Sequence, residues 1–203
     1  MTDVLINVIE NPYHKAEIKP HHLDVGEARL ACFDAFNIVS ASQALGGEYE
    51  MADEDRDPEP SSLFRLHHTL AEPRLSQLLL QIAVFVRTFD DVMSDIGGEA
   101  CRSHAAATNG EDHIGDQDGT SLTLREACNK IIHAVDFRPI YDHSDRRISE
   151  GEYRRVWFMT GEIEIGGMKG REQWAAVLYV PPFLEIVIDR LAFALPDPEP
   201  VQT

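Results

Sequence analysis

Between Leu75 and Met93 apolar residues recur as Leu75, Leu78, Leu79, Ile82, Phe85, Val86, Phe89, Val92 and Met93, in steps of three, one and three. That spacing holds one face of a 3.6-residue repeat continuously apolar and predicts an amphipathic helix of about five turns. Leu80, Ala83 and Val84 widen the apolar surface, which marks the helix as central and touched on several sides. Upstream, residues 61–71 begin a helix, and Pro73 must kink it or start a new one. A less regular pattern over Glu27–Leu45, through Leu30, Ala31, Phe33, Ile38 and Val39, predicts another helix that Gly46-Gly47 stops.

The pattern changes over residues 138–180. Val156-Trp157-Phe158, Glu162–Ile165 and Trp174–Val180 read as extended, and Gly166–Gly170 lies between the last two. A β-hairpin with a glycine-rich turn is expected there, with a third strand near it. Pro181-Pro182 then opens a closing helix through Phe183, Leu184, Ile186, Val187, Leu191 and Phe193. The fold expected from these patterns is mostly α, a helical bundle with a β-hairpin inserted before its last helix. One domain spans residues 1–203, with an N-terminal arm over 1–26 and a disordered tail over 196–203. Two polar insertions are expected, at 46–60 and 97–119. The first carries seven acids against Arg56 and closes on Pro58 and Pro60, the composition of a solvated linker.

Charge narrows the function classes. Eighteen Lys and Arg against 35 Asp and Glu leave a formal charge of -17. Broad adhesion to nucleic acid needs clustered cations and is excluded, while a small site built from a few placed cations is not. A folded acidic protein also suits a basic protein partner. Cys32, Cys101 and Cys128 lie far apart, so neither a disulfide framework nor a cysteine zinc site is indicated. No signal peptide is evident, and the Leu75–Met93 stretch is broken by Gln81, Arg87, Asp90 and Asp91. The expectation is a cytoplasmic protein without membrane contact, metal or cofactor.

The most informative passage runs from Leu122 to Ala134. Thr123 with Glu126 three residues on forms a capping box that places a helix start. On the helical wheel Leu124, Ala127, Cys128, Ile131, Ile132 and Val135 share one sector, while Arg125, Asn129 and His133 form an outward ridge at i, i+4, i+8. An arginine can neutralise a phosphate, a histidine can shuttle a proton near neutral pH, and an asparagine can orient either. These are the parts of metal-free RNA cleavage, in which a base activates the ribose 2′-hydroxyl and a cation steadies the phosphorane.

The run Cys128-Asn129-Lys130-Ile131-Ile132-His133 resembles the R-N-K-x-x-H signature of HEPN domains, helical bundles found in many prokaryotic ribonucleases, toxins and defence proteins. Asn129 and His133 occupy the family's polar and histidine positions and Lys130 its variable basic one. Cys128 stands where the family has arginine, and Arg125 lies one turn upstream. The resemblance implies a homodimer with the motif helices facing each other across a cleft. It implies a metal-independent ribonuclease or RNA-binding domain with His133 and Asn129 catalytic and Lys130 on RNA. Arg125 is the ridge's own candidate phosphate anchor for that catalysis, and Arg74 and Arg87 could line a phosphate-binding face on the neighbouring helix. The alternative is a non-catalytic scaffold of that type that binds a protein partner, as an antitoxin does. Of the remaining histidines, His14, His21 and His22 with Asp24 form a conceivable loop site, and the adjacent pairs His21-His22 and His67-His68 diverge too far to chelate one metal.

Overall fold

A computed structural model describes residues 23–51, 62–110, 114–149 and 152–193. Five helices and five strands alternate unevenly along them. The helices are α1 (Val25–Met51), α2 (Ser62–Ile96), α3 (Gly98–Ala107), α4 (Leu124–His133) and α5 (Val180–Leu191). The strands are β1 (Gly115–Gln117) and β2 (Thr120–Ser121) before α4, and β3 (Asp136–Ser149), β4 (Glu152–Lys169) and β5 (Glu172–Tyr179) after it.

The expected helical bundle with one hairpin is overturned. All five strands join one antiparallel sheet in the order β2-β1-β5-β4-β3, so the architecture is mixed α/β. The hairpin region holds three long strands. β3 escapes a periodicity reading because its few apolar residues, Phe137, Ile140 and Tyr141, are interrupted by Pro139 and set among charges, with Arg138, Asp142 and Asp145 exposed along it. It pairs with β4 from Asp136↔Gly166 to Ser149↔Glu152, and Phe137 and Tyr141 turn toward the core.

The stretch 97–119, read as a polar insertion, carries α3 and β1. β1 and β2 are joined by Asp118-Gly119, with φ of 54° and 79°. Both residues lie in the left-handed region that a two-residue hairpin turn of type I′ requires, and Asp-Gly is the pair that fills it most readily. Gly166 and Gly167, expected in a turn, lie inside β4, and the turn itself falls at Gly170-Arg171.

One face of the sheet is covered by helices and the other meets solvent. Along β4, Met159, Ile163 and Ile165 are buried while Glu162, Glu164 and Met168 are exposed, the alternation of a half-covered antiparallel strand. α1 lies against β3 and β4. Gly46 does not stop this helix: a β-carbon there would stand 2.8 Å from the Phe158 ring, so the glycine lets helix and sheet approach. The buried Ser42 hydroxyl accepts from the Met159 N–H at 2.9 Å and fixes the same contact.

α2 packs on α1, α3 and α4. Of the face the sequence pattern predicts, Leu75, Leu78, Leu79, Ile82, Val86, Phe89 and Met93 are buried and Phe85 and Val92, at its edge, are half-buried. Pro73 stays within the helix, which runs on through Ile96. On the sheet side the Tyr141 hydroxyl donates to Glu72 at 2.7 Å and ties β3 to α2. Burial, followed by this carboxylate, raises the Tyr141 pKa. Among the described residues no helix is long and apolar enough to cross a membrane. The expected tail at 196–203 and most of the expected arm lie outside the described residues.

Candidate functional site

α4 begins where its capping box predicts. The Thr123 hydroxyl accepts from the Glu126 N–H at 3.3 Å, and the Glu126 carboxylate accepts from the Thr123 N–H at 2.9 Å. These contacts, the backbone one foremost, hold the Glu126 pKa below its ordinary value. Leu124, Ala127, Cys128 and Ile131 are buried, whereas Val135, expected with them, is exposed in the link to β3. The helix ends at His133, so its periodicity no longer governs Val135.

Arg125 and His133 are exposed and Asn129 is half-buried, so the ridge faces outward. Its members do not converge. Eight residues of helix separate Arg125 from His133 by roughly 12 Å along the axis. Arg125 stands beside Asp91 of α2, at 3.6 Å. Lys130 lies on another flank, its ammonium 4.1 Å above the Trp174 ring of β5. Burial is the first cause that lowers its pKa, and the Lys169 charge is the second. Among the described residues His133 meets no polar partner.

Position 128, where the resembled motif has arginine, is fully buried. Burial above all, then the Asp90 charge, pushes the Cys128 thiol up to about 12. A side chain here points into the core and not toward a bound polymer. The remaining cations are scattered. Arg87 reaches Asp91 at 4.0 Å, and its Nη1 is buried without a partner among the described residues. Arg74 pairs with Asp34 of α1 at 3.7 Å. It stands roughly 26 Å up α2 from Asp91, at 1.5 Å per residue.

Two features went unread in the sequence. The first is a buried ion pair: Arg190 of α5 and Asp90 of α2 meet at 2.7 Å, with side chains 5% and 13% exposed. Arg190 also donates to the Thr108 hydroxyl and to the carbonyls of Ala105 and Thr108, which binds α2, α3 and α5 together. Beside it lies a cavity of about 320 Å³ walled in part by Phe89, Met93, His104, Arg125 and Phe193. The His104 ring spans to the carbonyls of Asp189 and Arg190, so it is a structural tie between α3 and α5.

The second feature is the outer face of α2. Leu63, Leu66, Leu70, Leu80 and Val84 are 69%, 55%, 52%, 45% and 47% exposed. Together with Pro73 and Gln77 they recur in alternating steps of three and four, the period of a helix seam that meets another helix. A groove of about 470 Å³, lined almost wholly by apolar atoms, runs between this seam and Ile38, Ala41 and Leu45 of α1. A second groove follows between Leu23 and Leu80, Val84 and Phe85. The sequence pattern expects Leu80, Ala83 and Val84 to be covered by neighbours on several sides; Ala83 is buried, but Leu80 and Val84 are left exposed. Among the described residues, no three His, Cys, Asp or Glu side chains come together in a way that could hold a metal ion.

Set against protein-family models, curated proteins and solved structures, the chain matches none.

Proposed function

We propose that the protein is a non-catalytic binding module whose working surface is the outer face of the α1–α2 pair. One observation carries the reading: five large aliphatic side chains, each nearly half exposed or more, lie on one seam of a single helix, Leu63, Leu66 and Leu70 before Pro73 and Gln77, and Leu80 and Val84 after them. Contiguous apolar patches of this kind mark contact surfaces, whereas scattered exposed leucines do not. The face is helical and grooved on one side, so an apolar helix laid along it would fill the groove between α1 and α2.

A photo-crosslinking side chain placed at Leu66 tests the reading, in the pure protein and in extract of the source cell. Gln173, exposed on β5, serves as the control position. The reading expects a discrete covalent product from position 66 only, lost when Leu70 is changed to Glu. No product in either setting, or equal products from both positions, refutes it.

A second reading, a metal-independent ribonuclease, is favoured by one observation, the exposure of His133 with no polar partner among the described residues. Against it stand the burial of position 128 and the hold of Asp91 on Arg125. Single-stranded RNA incubated with pure protein in the presence of a chelator decides the matter. Cleavage that disappears in His133→Ala would establish the second reading, and intact RNA ends it.

A further inference from the structure

Resting on the binding-module reading, we infer that the occupant of the α2 face is a second copy of the chain, packed antiparallel about a twofold axis near Pro73. Charge gives the first argument. The chain is at -17 overall, yet residues 63–84 carry only Arg65, Glu72 and Arg74, a formal charge of +1. A basic partner, which the overall charge would attract, finds no acidic surface on this seam. A near-neutral apolar face in an acidic protein suits a face of the same kind.

Self-complementarity gives the second. With residue 73 on the axis, Leu63 meets Val84 of the other copy, Leu66 meets Leu80, and Leu70 meets Gln77. Every leucine of the first half thus faces the second half of the seam, and no two like charges face each other except Arg74 across the axis. Each Arg74 is already beside its own Asp34 at 3.7 Å, with both side chains about half exposed. Two such pairs meeting at the axis make an alternating quartet, arginine against aspartate in both directions.

Area gives the third. The seam from Leu63 to Val84 is roughly 32 Å long at 1.5 Å per residue, and two helices side by side are about 20 Å wide. That covers roughly 600 Å² per copy, or about 1,200 Å² in total, the lower end of the range for specific stable interfaces. The dimer differs from one built on the Arg125–His133 ridge, because α4 takes no part in it.

Single cysteines test the geometry, since Cys32, Cys101 and Cys128 are all buried and give little background. Under mild oxidation Pro73→Cys is expected to crosslink to itself. Leu63→Cys is not, because the two copies of that position lie roughly 32 Å apart. Mixed Leu66→Cys and Leu80→Cys chains are expected to crosslink to each other. In sedimentation the wild type runs at twice its 22.8 kDa mass, and Leu66→Glu with Leu80→Glu returns it to 22.8 kDa. Circular dichroism checks that the double variant is folded, as expected for positions already half exposed. Self-crosslinking at residue 63 overturns the antiparallel arrangement. A wild-type chain that stays at monomer mass at high micromolar concentration overturns the second copy as occupant. In that event a Leu66 crosslink to a different protein leaves the binding-module reading standing, and no crosslink at all removes both.

Discussion

Asp90→Ala removes the carboxylate that Arg190 meets at 2.7 Å while leaving the guanidinium in place. The cation is 5% exposed and cannot turn to water without separating α5 from α3. Breaking a buried pair from one side generally costs about 3–5 kcal/mol, because the charge left behind is uncompensated. Here the Thr108 hydroxyl and two carbonyls still accept from Arg190, which places the loss near the lower end, about 3 kcal/mol. Against a typical total of about 5–15 kcal/mol this is a large share. With a urea slope of about 2–3 kcal/mol per molar for a chain of this size, the midpoint falls by roughly 1–1.5 M. Urea unfolding at one fixed protein concentration measures it, since self-association makes the midpoint depend on concentration. Arg190→Met alone should also destabilise, and the double variant Asp90→Ala with Arg190→Met should lose less than the two single losses added together. A loss below about 1 kcal/mol for Asp90→Ala, or strict additivity in the double variant, would refute the view that this pair locks three helices together.

Thr123→Ala should destabilise by about 1 kcal/mol in urea unfolding, since it removes one half of the α4 capping box. The Glu126 pKa is lowered in the fold, so its contribution is complete above the ordinary value of 4.5 and is lost as pH falls through the depressed one. Glu126→Gln should therefore remove part of the acid sensitivity of stability below pH 4.5, and an unchanged acid limb would contradict the assignment. Burial pushes the Cys32 and Cys128 thiols up to about 11 and about 12, and Cys101 is buried too. A thiol reagent at pH 8 should find almost no reactive cysteine in native protein and all three after denaturation. Salt should strengthen self-association on the α2 face, because screening relieves the repulsion between two chains of -17. Dissociation by added salt in sedimentation would point instead to an interface held by ion pairs.

How far the sequence was legible depends on what each element is made of. The inner face of α2 and the start of α4 were readable because apolar spacing and a capping box are local signals. The sheet was largely hidden. β3 sets a few apolar residues among many charges and pairs with the next strand, β4, as one long hairpin down to Ser149↔Glu152, while β1–β2 is too short to show any alternation and β1 pairs with the distant β5. The Asp118-Gly119 turn was the one local mark of that hairpin. Gly46 looked like a helix stop because a sequence shows only the absent side chain and not the Phe158 ring that needs the space. For the candidate ridge, the outward direction of Arg125 and His133 was legible from the wheel. The hold of Asp91 on Arg125 was not, because it depends on how α2 crosses α4.

The most direct measurement is carbene footprinting of the intact chain over a wide range of concentration, read by mass spectrometry. As concentration rises, labelling of Leu63, Leu66, Leu70, Leu80 and Val84 should fall severalfold while Arg125, Asn129 and His133 label at a constant level. Falling labels on α4 with a constant α2 face, or no change anywhere, would contradict the account.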